Sequence, residues 1–177
     1  SGEVVDRPYS VVKELVENAI DAGATEIEIY VESGGKQLVR VVDNGGGILR
    51  EDLQAAFLPH ATSKIAKADD LERILTLGFR GEAVASIAAV SKMTITSKVP
   101  GERCYQLASD GGKLGEIKEA AGDDGTDVKV EMLFFNTPVR LGFLKSDKAE
   151  ETDITNFVSR FILNRPNISF RYYVNGK

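Results

Sequence analysis

Glu14 and Asn18 stand four residues apart in Lys13-Glu14-Leu15-Val16-Glu17-Asn18-Ala19-Ile20-Asp21-Ala22-Gly23, with Asp21 three further on. On a helix that spacing stacks the three on one face. A carboxylate can orient and deprotonate an attacking water, and an amide carbonyl oxygen suits a hard ion such as Mg2+. The same pattern also fits the solvated face of an ordinary amphipathic helix.

Asp43-Asn44-Gly45-Gly46-Gly47-Ile48 follows a strongly apolar run and so sits where a strand meets a loop, a common place for ligand groups. An aspartate there can accept a hydrogen bond from an exocyclic amine, and glycines let a flat ring approach the backbone. A tight Asp/Gly turn needs the same residue types. Gly78-Phe79-Arg80-Gly81-Glu82-Ala83 puts glycines and an arginine directly before a helix, an arrangement that cradles phosphates with backbone N–H groups. Thr62, Ser63 and Lys64, in His60-Ala61-Thr62-Ser63-Lys64, could add hydroxyl donors and a cation. A loop with Gly78 as a helix C-cap would explain the glycines equally well. There is no GxxxxGK[ST] loop and no dinucleotide fingerprint. Gly125-Thr126-Asp127-Val128 opens a strand, where Thr126 either reinforces Asp43 or serves as a β-branched strand residue.

These residues need elements to hold them. Pro8 starts a helix whose apolar positions Val11, Val12, Leu15, Val16, Ala19 and Ile20 run to a stop at Ala22-Gly23. Residues 26–32 alternate as a half-buried strand, and Ser33-Gly34-Gly35 turns it into a partner over 37–42. Helices are expected near 50–58, 69–75 and 82–89, with 76–81 as loop. Strands are expected over 92–98 and 103–109 about a Pro100-Gly101 turn, and through Val128, Val130 and Met132. A helical stretch from Asn136-Thr137-Pro138, a helix over 151–163 and a strand over 168–174 complete the pass. Strands joined mostly by hairpins imply antiparallel neighbours, so an α+β two-layer sandwich with helices on one face is the expected fold. Asn175-Gly176 is a strong two-residue hairpin signal, and the sequence ends just after it, so the parent protein is expected to continue.

Composition narrows the function classes. At 177 residues and 42% hydrophobic content, one domain with one core is the default. The net charge of −5 argues against a stand-alone DNA-binding domain. No eighteen-residue apolar run suggests a membrane helix, and Ser1-Gly2-Glu3 does not begin a secretory leader. The one cysteine, Cys104, allows no internal disulfide, which fits a reducing cytoplasm.

In their order, Glu14–Asn18, the Asp43-Asn44-Gly-x-Gly loop, Gly78–Ala83 and Gly125-Thr126 resemble the four ATP motifs of the gyrase/chaperone/histidine-kinase/MutL (GHKL) ATPases. Gly2-Glu3-Val4-Val5, Val12–Asn18, His60–Lys64 and Phe135-Asn136-Thr137-Pro138 are similar to the MutL branch, the DNA mismatch repair family. The resemblance covers essentially residues 1–177 and implies the Bergerat-type ATP-binding fold. It implies that Glu14 is the general base and that Asn18 coordinates Mg2+. Asp43 would read the adenine amino group with Gly47 and Thr126, and Ala22 would join the nucleotide site. Thr62, Ser63, Lys64, Gly78, Phe79, Arg80, Gly81, Glu82 and Ala83 would form a lid over ribose and phosphates.

The resemblance also implies slow hydrolysis of ATP, with the ATP state controlling an N-terminal homodimer. The implied partners are a MutS-type mismatch recognition protein and DNA, the latter through the full-length protein. The implied location is bacterial-type cytoplasm, at the nucleoid during repair and away from membranes. Two sites depart from the family pattern: Pro59 stands where members usually carry a basic residue, and the pair Leu141-Gly142 where they tend to carry two basic or polar ones. The second departure argues against DNA contact there. The family's N-terminal arm and its lysine-bearing second subdomain are expected outside residues 1–177, which would leave this piece an incomplete ATPase. A nucleotide-gated module without useful turnover, or another GHKL protein, is the alternative.

Overall fold

The structure is a computed structural model and describes residues 5–58 and 82–177. Helix α1 (Pro8–Asp21) begins with Pro8 in its first turn, where a missing N–H costs no hydrogen bond. It ends in paired bonds, Gly23 N–H to Ile20 O at 2.9 Å and Ala24 N–H to Ala19 O at 3.1 Å, the Schellman arrangement. The expected stop at Ala22-Gly23 is therefore where the helix ends.

Among the described residues eight strands form one sheet: β1 (Glu26–Glu32), β2 (Leu38–Asp43), β3 (Lys92–Lys98), β4 (Cys104–Asp110), β5 (Lys113–Leu114), β6 (Lys118–Glu119), β7 (Gly125–Glu131) and β8 (Ser169–Val174). Their order is β5-β4-β3-β7-β2-β1-β8, with β6 also on β4. Every pairing is antiparallel except β1 with β8. The mostly antiparallel reading holds, and the β1–β2 and β3–β4 hairpins lie where their turn residues placed them.

Alternation decides which face is covered. Ile27, Ile29 and Val31 of β1, Val39 and Val41 of β2, Val128 and Val130 of β7, and Met93 and Ile95 of β3 all point to one buried layer. Against that layer lie α1, α2 (Leu53–Phe57), α3 (Glu82–Ala89) and α5 (Asp147–Leu163), contributing Val12, Leu15, Leu53, Val84, Ile87, Ile154 and Val158. α4 (Pro138–Gly142) is a short helix with no buried residue. The opposite face is polar: Arg40 donates twice to Asp127, at 2.7 and 3.0 Å, and its guanidinium lies 5.1 Å from the Tyr30 ring centre.

Three expectations shift. α5 starts at Asp147 and not at 151, because Ser146 caps it by accepting from Ala149 N–H at 3.2 Å, four residues before the apolar repeat becomes visible. The chain leaves the β7 ladder at Glu131, so Met132, expected on the strand, sits just past it with a left-handed φ of 52°. β5 and β6 are two-residue pairings with no pattern to announce them. The helix expected near 69–75 and the loop over 76–81 lie outside the described residues. Asn175 and Gly176, at φ 50° and 84°, make the expected hairpin turn, with Val174 and Lys177 exchanging bonds of 2.9 and 3.1 Å.

Candidate functional site

Glu14 and Asn18 are each only 6% exposed. A solvated helix face would leave them in water, so that reading of the spacing is overturned. α1 buries its polar stripe as well as its apolar one, packed on β2 and α5 and beside α3. Both polar atoms of the Asn18 side chain are buried without a hydrogen-bond partner among the described residues. A buried amide left in this state costs about 1–3 kcal/mol, so such positions require a reason.

The Asp43–Ile48 loop closes onto the end of α1. Gly46 N–H donates to Ala22 O at 3.0 Å. A Cβ on Gly45 would stand 2.8 Å from that same carbonyl, so the approach requires a glycine. Asn44 turns away and ties the loop to the start of β1, its Oδ1 accepting from Thr25 and Glu26 N–H at 2.8 and 2.9 Å. Asn44 is thus a brace, and the residue left facing the α1 side is Asp43.

Asp43 ends β2 in register with Thr126 of β7. In phase with Val39 and Val41, both partners lie on the helix-side face of the sheet. Gly45 N–H donates to Asp43 Oδ1 at 2.7 Å. Burial pushes the Asp43 carboxyl up to about 6, opposed by the N–H bonds from Gly45 and Thr126 and assisted by the nearby Asp127 charge. A carboxylate raised in this way, at a strand end beside glycines, is poised for a donor that keeps it ionised.

Gly47 has φ 76°, and a Cβ there would run into the Lys98 carbonyl. The loop therefore lies directly against the end of β3. Here the structure adds a residue that the motifs did not suggest. Ser97 is 1% exposed, accepts from Ile48 N–H at 2.7 Å, donates to Gly125 O at 3.0 Å and lies 2.8 Å from the Thr126 hydroxyl. The available signal was its phase: Ser97 follows Met93 and Ile95 on the inward side of β3.

Glu82 opens α3 on an exposed position and Ala83 is buried behind it. Thr62, Ser63, Lys64, Gly78, Phe79, Arg80 and Gly81 lie outside the described residues. Among the described residues no three His, Cys, Asp or Glu side chains cluster to hold a metal. The Asn18 carbonyl oxygen still suits Mg2+, which commonly takes one or two protein oxygens and completes its shell with phosphate and water. A cavity of about 830 Å3 between Val90, Pro138, Val139 and Phe143 shares none of these residues.

Residues 7–119 match the family of histidine kinase-, DNA gyrase B-, and HSP90-like ATPases. The chain belongs to that family. Within it, the likeness to MutL runs the whole length. The chain is 50% identical to the DNA mismatch repair protein MutL of Clostridium botulinum (strain Eklund 17B / Type B), covering all of this chain and 26% of the relative. It is 52% identical to that of Actinobacillus pleuropneumoniae serotype 3, covering all of this chain and 29% of the relative. It thus spans less than a third of these curated relatives. Among solved structures, the Aquifex aeolicus MutL ATPase domain complexed with ADP superposes with a TM-score of 0.79 at 32% identity, covering 98% of this chain and 62% of that one. The N-terminal domain of a DNA repair protein gives 0.82 at 34% identity, covering 99% and 53%. The expected fold and the resemblance to MutL-type members of this family are borne out.

Proposed function

We propose that this domain binds Mg-ATP between α1 and the Asp43–Ile48 loop, and that slow hydrolysis there gates conformational change in a mismatch repair protein. The observation that carries it is the pairing of a buried Glu14–Asn18 stripe with a raised Asp43 carboxyl across one short loop. Asp43 accepts from the adenine amine, and Thr126, Gly47 and the Ala22 turn frame the base. The Asn18 carbonyl oxygen would hold Mg2+, whose charge would offset that of the phosphates. Glu14 accepts the proton of the water that attacks the terminal phosphorus, so that catalysis is positioning and proton removal. Thr62, Ser63, Lys64 and Gly78 through Ala83 form the lid over ribose and phosphates, a role that rests on resemblance for all of them. The ADP complex of the Aquifex aeolicus relative supports adenine nucleotide as the ligand class.

In the longer protein the ATP state controls an N-terminal homodimer, engagement of a MutS-type recognition protein and contact with DNA. The net charge of −5 supports a reading in which the bulk of DNA contact falls on other parts of that protein. Among the described residues no helix is long and apolar enough to cross a membrane, and we propose a cytoplasmic location. The decisive experiment is phosphate release by the longer protein with Glu14→Ala. Turnover should fall by roughly 100- to 10,000-fold while ADP affinity stays within a few-fold. Wild-type turnover in that variant would remove Glu14 from the role. ADP binding with no turnover in the unaltered protein would leave a nucleotide-gated binding module.

A further inference from the structure

We propose that Ser97 sets the purine preference of the site by fixing which way the Thr126 hydroxyl points its proton. The proposal rests on the adenine-site reading of Asp43 and Thr126.

Ser97, on β3, stands where the Asp43–Ile48 loop and the start of β7 meet. Its Oγ contacts Ile48 N–H at 2.7 Å, Gly125 O at 3.0 Å and Thr126 Oγ1 at 2.8 Å, all buried. The backbone is also packed tightly there. A Cβ on Gly125 would run into Asp43 O, and one on Gly47 into Lys98 O, so at both positions the backbones approach as closely as only glycine allows.

A serine hydroxyl has one proton and two lone pairs. Ile48 N–H can only donate, and occupies one lone pair. Gly125 O can only accept, and takes the proton. The third contact is then satisfied only if Thr126 donates into the remaining lone pair of Ser97. All three bonds form at once in this arrangement and in no other. Thr126 then has no proton left for a ligand and presents lone pairs alone. Asp43, one rung across on the same face, also presents lone pairs when ionised.

The result is a subsite built of acceptors. Adenine offers an exocyclic amine, a donor, where hypoxanthine and guanine offer a carbonyl oxygen, an acceptor. A carbonyl facing two acceptors makes no direct bond with either, and one bridging water has two protons for three acceptors, so one is left unpaired. Without the Ser97 hydroxyl, Thr126 is free to rotate and donate, and the objection to a carbonyl weakens. Ser97 itself touches no ligand. It is a positioning residue.

The test is titration calorimetry of ADP and IDP against the wild-type chain, Ser97→Ala, Thr126→Val and the double variant, with thermal melts alongside. Ser97→Ala should lower the preference for ADP over IDP by about tenfold, the scale of one hydrogen bond. In the Thr126→Val background the same change should do nothing further. A lower melting temperature with an unchanged ADP/IDP ratio overturns the proposal, because that is a merely structural serine. So does an equal fall in both backgrounds, because the effect would not run through Thr126. Should Ser97→Ala fail to fold, Ser97→Thr must keep the preference and Thr126→Val must reduce it, with Asp43 alone left to discriminate; a Thr126→Val chain with the wild-type ADP/IDP ratio overturns the proposal. Asp43→Ala separates the two readings. If it leaves ADP affinity untouched, the adenine site itself is misplaced, whereas if it weakens ADP and Ser97→Ala leaves the ratio alone, only the Ser97 role falls.

Discussion

Asp43 and Thr126 are cross-strand partners at the last rung of the β2–β7 ladder, where the glycine loop begins. A carboxylate and a hydroxyl meet there on the helix-side face, behind a loop pinned to Ala22 O by Gly46 N–H. The ladder fixes their separation, so the pair is rigid before any ligand arrives.

If Asp43 reads an exocyclic amine, Asp43→Ala removes a hydrogen bond to a charged acceptor. Such bonds contribute about 1.5–3 kcal/mol, which is roughly a tenfold to hundredfold loss of ADP affinity. Titration calorimetry reads it directly. An unchanged dissociation constant would place the base elsewhere.

Gly47→Ala tests the loop itself. The residue has φ 76°, and its new Cβ would meet the Lys98 carbonyl. Left-handed strain alone costs about 1–3 kcal/mol, and the backbone clash has no flexible side chain to yield. The melting temperature should drop by several degrees, and ADP binding should weaken beyond what partial unfolding explains. A variant that melts and binds like the wild type would mean the loop does not press on β3.

Asn18 carries a cost that a ligand would remove. Its amide atoms are buried and unbonded among the described residues, so Asn18→Leu exchanges an unsatisfied polar group for an apolar one of similar volume. The apo protein should gain on the order of 1 kcal/mol in chemical denaturation. The same variant should lose the difference between nucleotide affinity with Mg2+ and with EDTA. If the Mg2+ dependence survives, Asn18 is not the metal's protein ligand.

The sequence made the framework legible wherever a period and a stop signal coincided. α1 carried both, with Pro8 at its head and Gly23 at its tail, and the β1–β2 pair carried strict alternation about Ser33-Gly34-Gly35. It was silent where structure comes from a single cap, as at Ser146 before α5, or from two-residue pairings such as β5 and β6. In the site, residue types pointed to Glu14, Asn18 and Asp43, but their spacing alone fits both a wet helix face and a buried stripe. Only the packing of β2 and α5 on α1 decides between them. Ser97 reads in the sequence as one more strand residue. Its role exists only once β3, β7 and the Gly47–Ile48 turn are brought together.

The last prediction concerns pH and turns on the sign of one shift. Burial raises the folded Asp43 carboxyl to about 6, above its ordinary value of 3.8. Between those two values the folded state holds the proton more tightly than the unfolded state does. Stability from this group is therefore highest below about 3.8, falls as pH rises to about 6, and stays reduced above that. Asp43→Asn removes the charge while its side-chain carbonyl can still accept from Gly45 N–H. At pH 7 the variant should be more stable than the wild type, by on the order of 2–3 kcal/mol at most given one pKa unit per 1.36 kcal/mol. At pH 4 the two should nearly converge. Ligand binding runs the opposite way. An amine donor prefers the ionised carboxylate, so ADP binding near pH 6 should release a proton from Asp43, and affinity should fall as the pH drops through that value. The Asp43→Asn chain should lose this component of the pH dependence. Melts and ADP titrations of both chains from pH 4 to 8 check both halves; parallel curves for the two proteins would show that the Asp43 carboxyl is not raised.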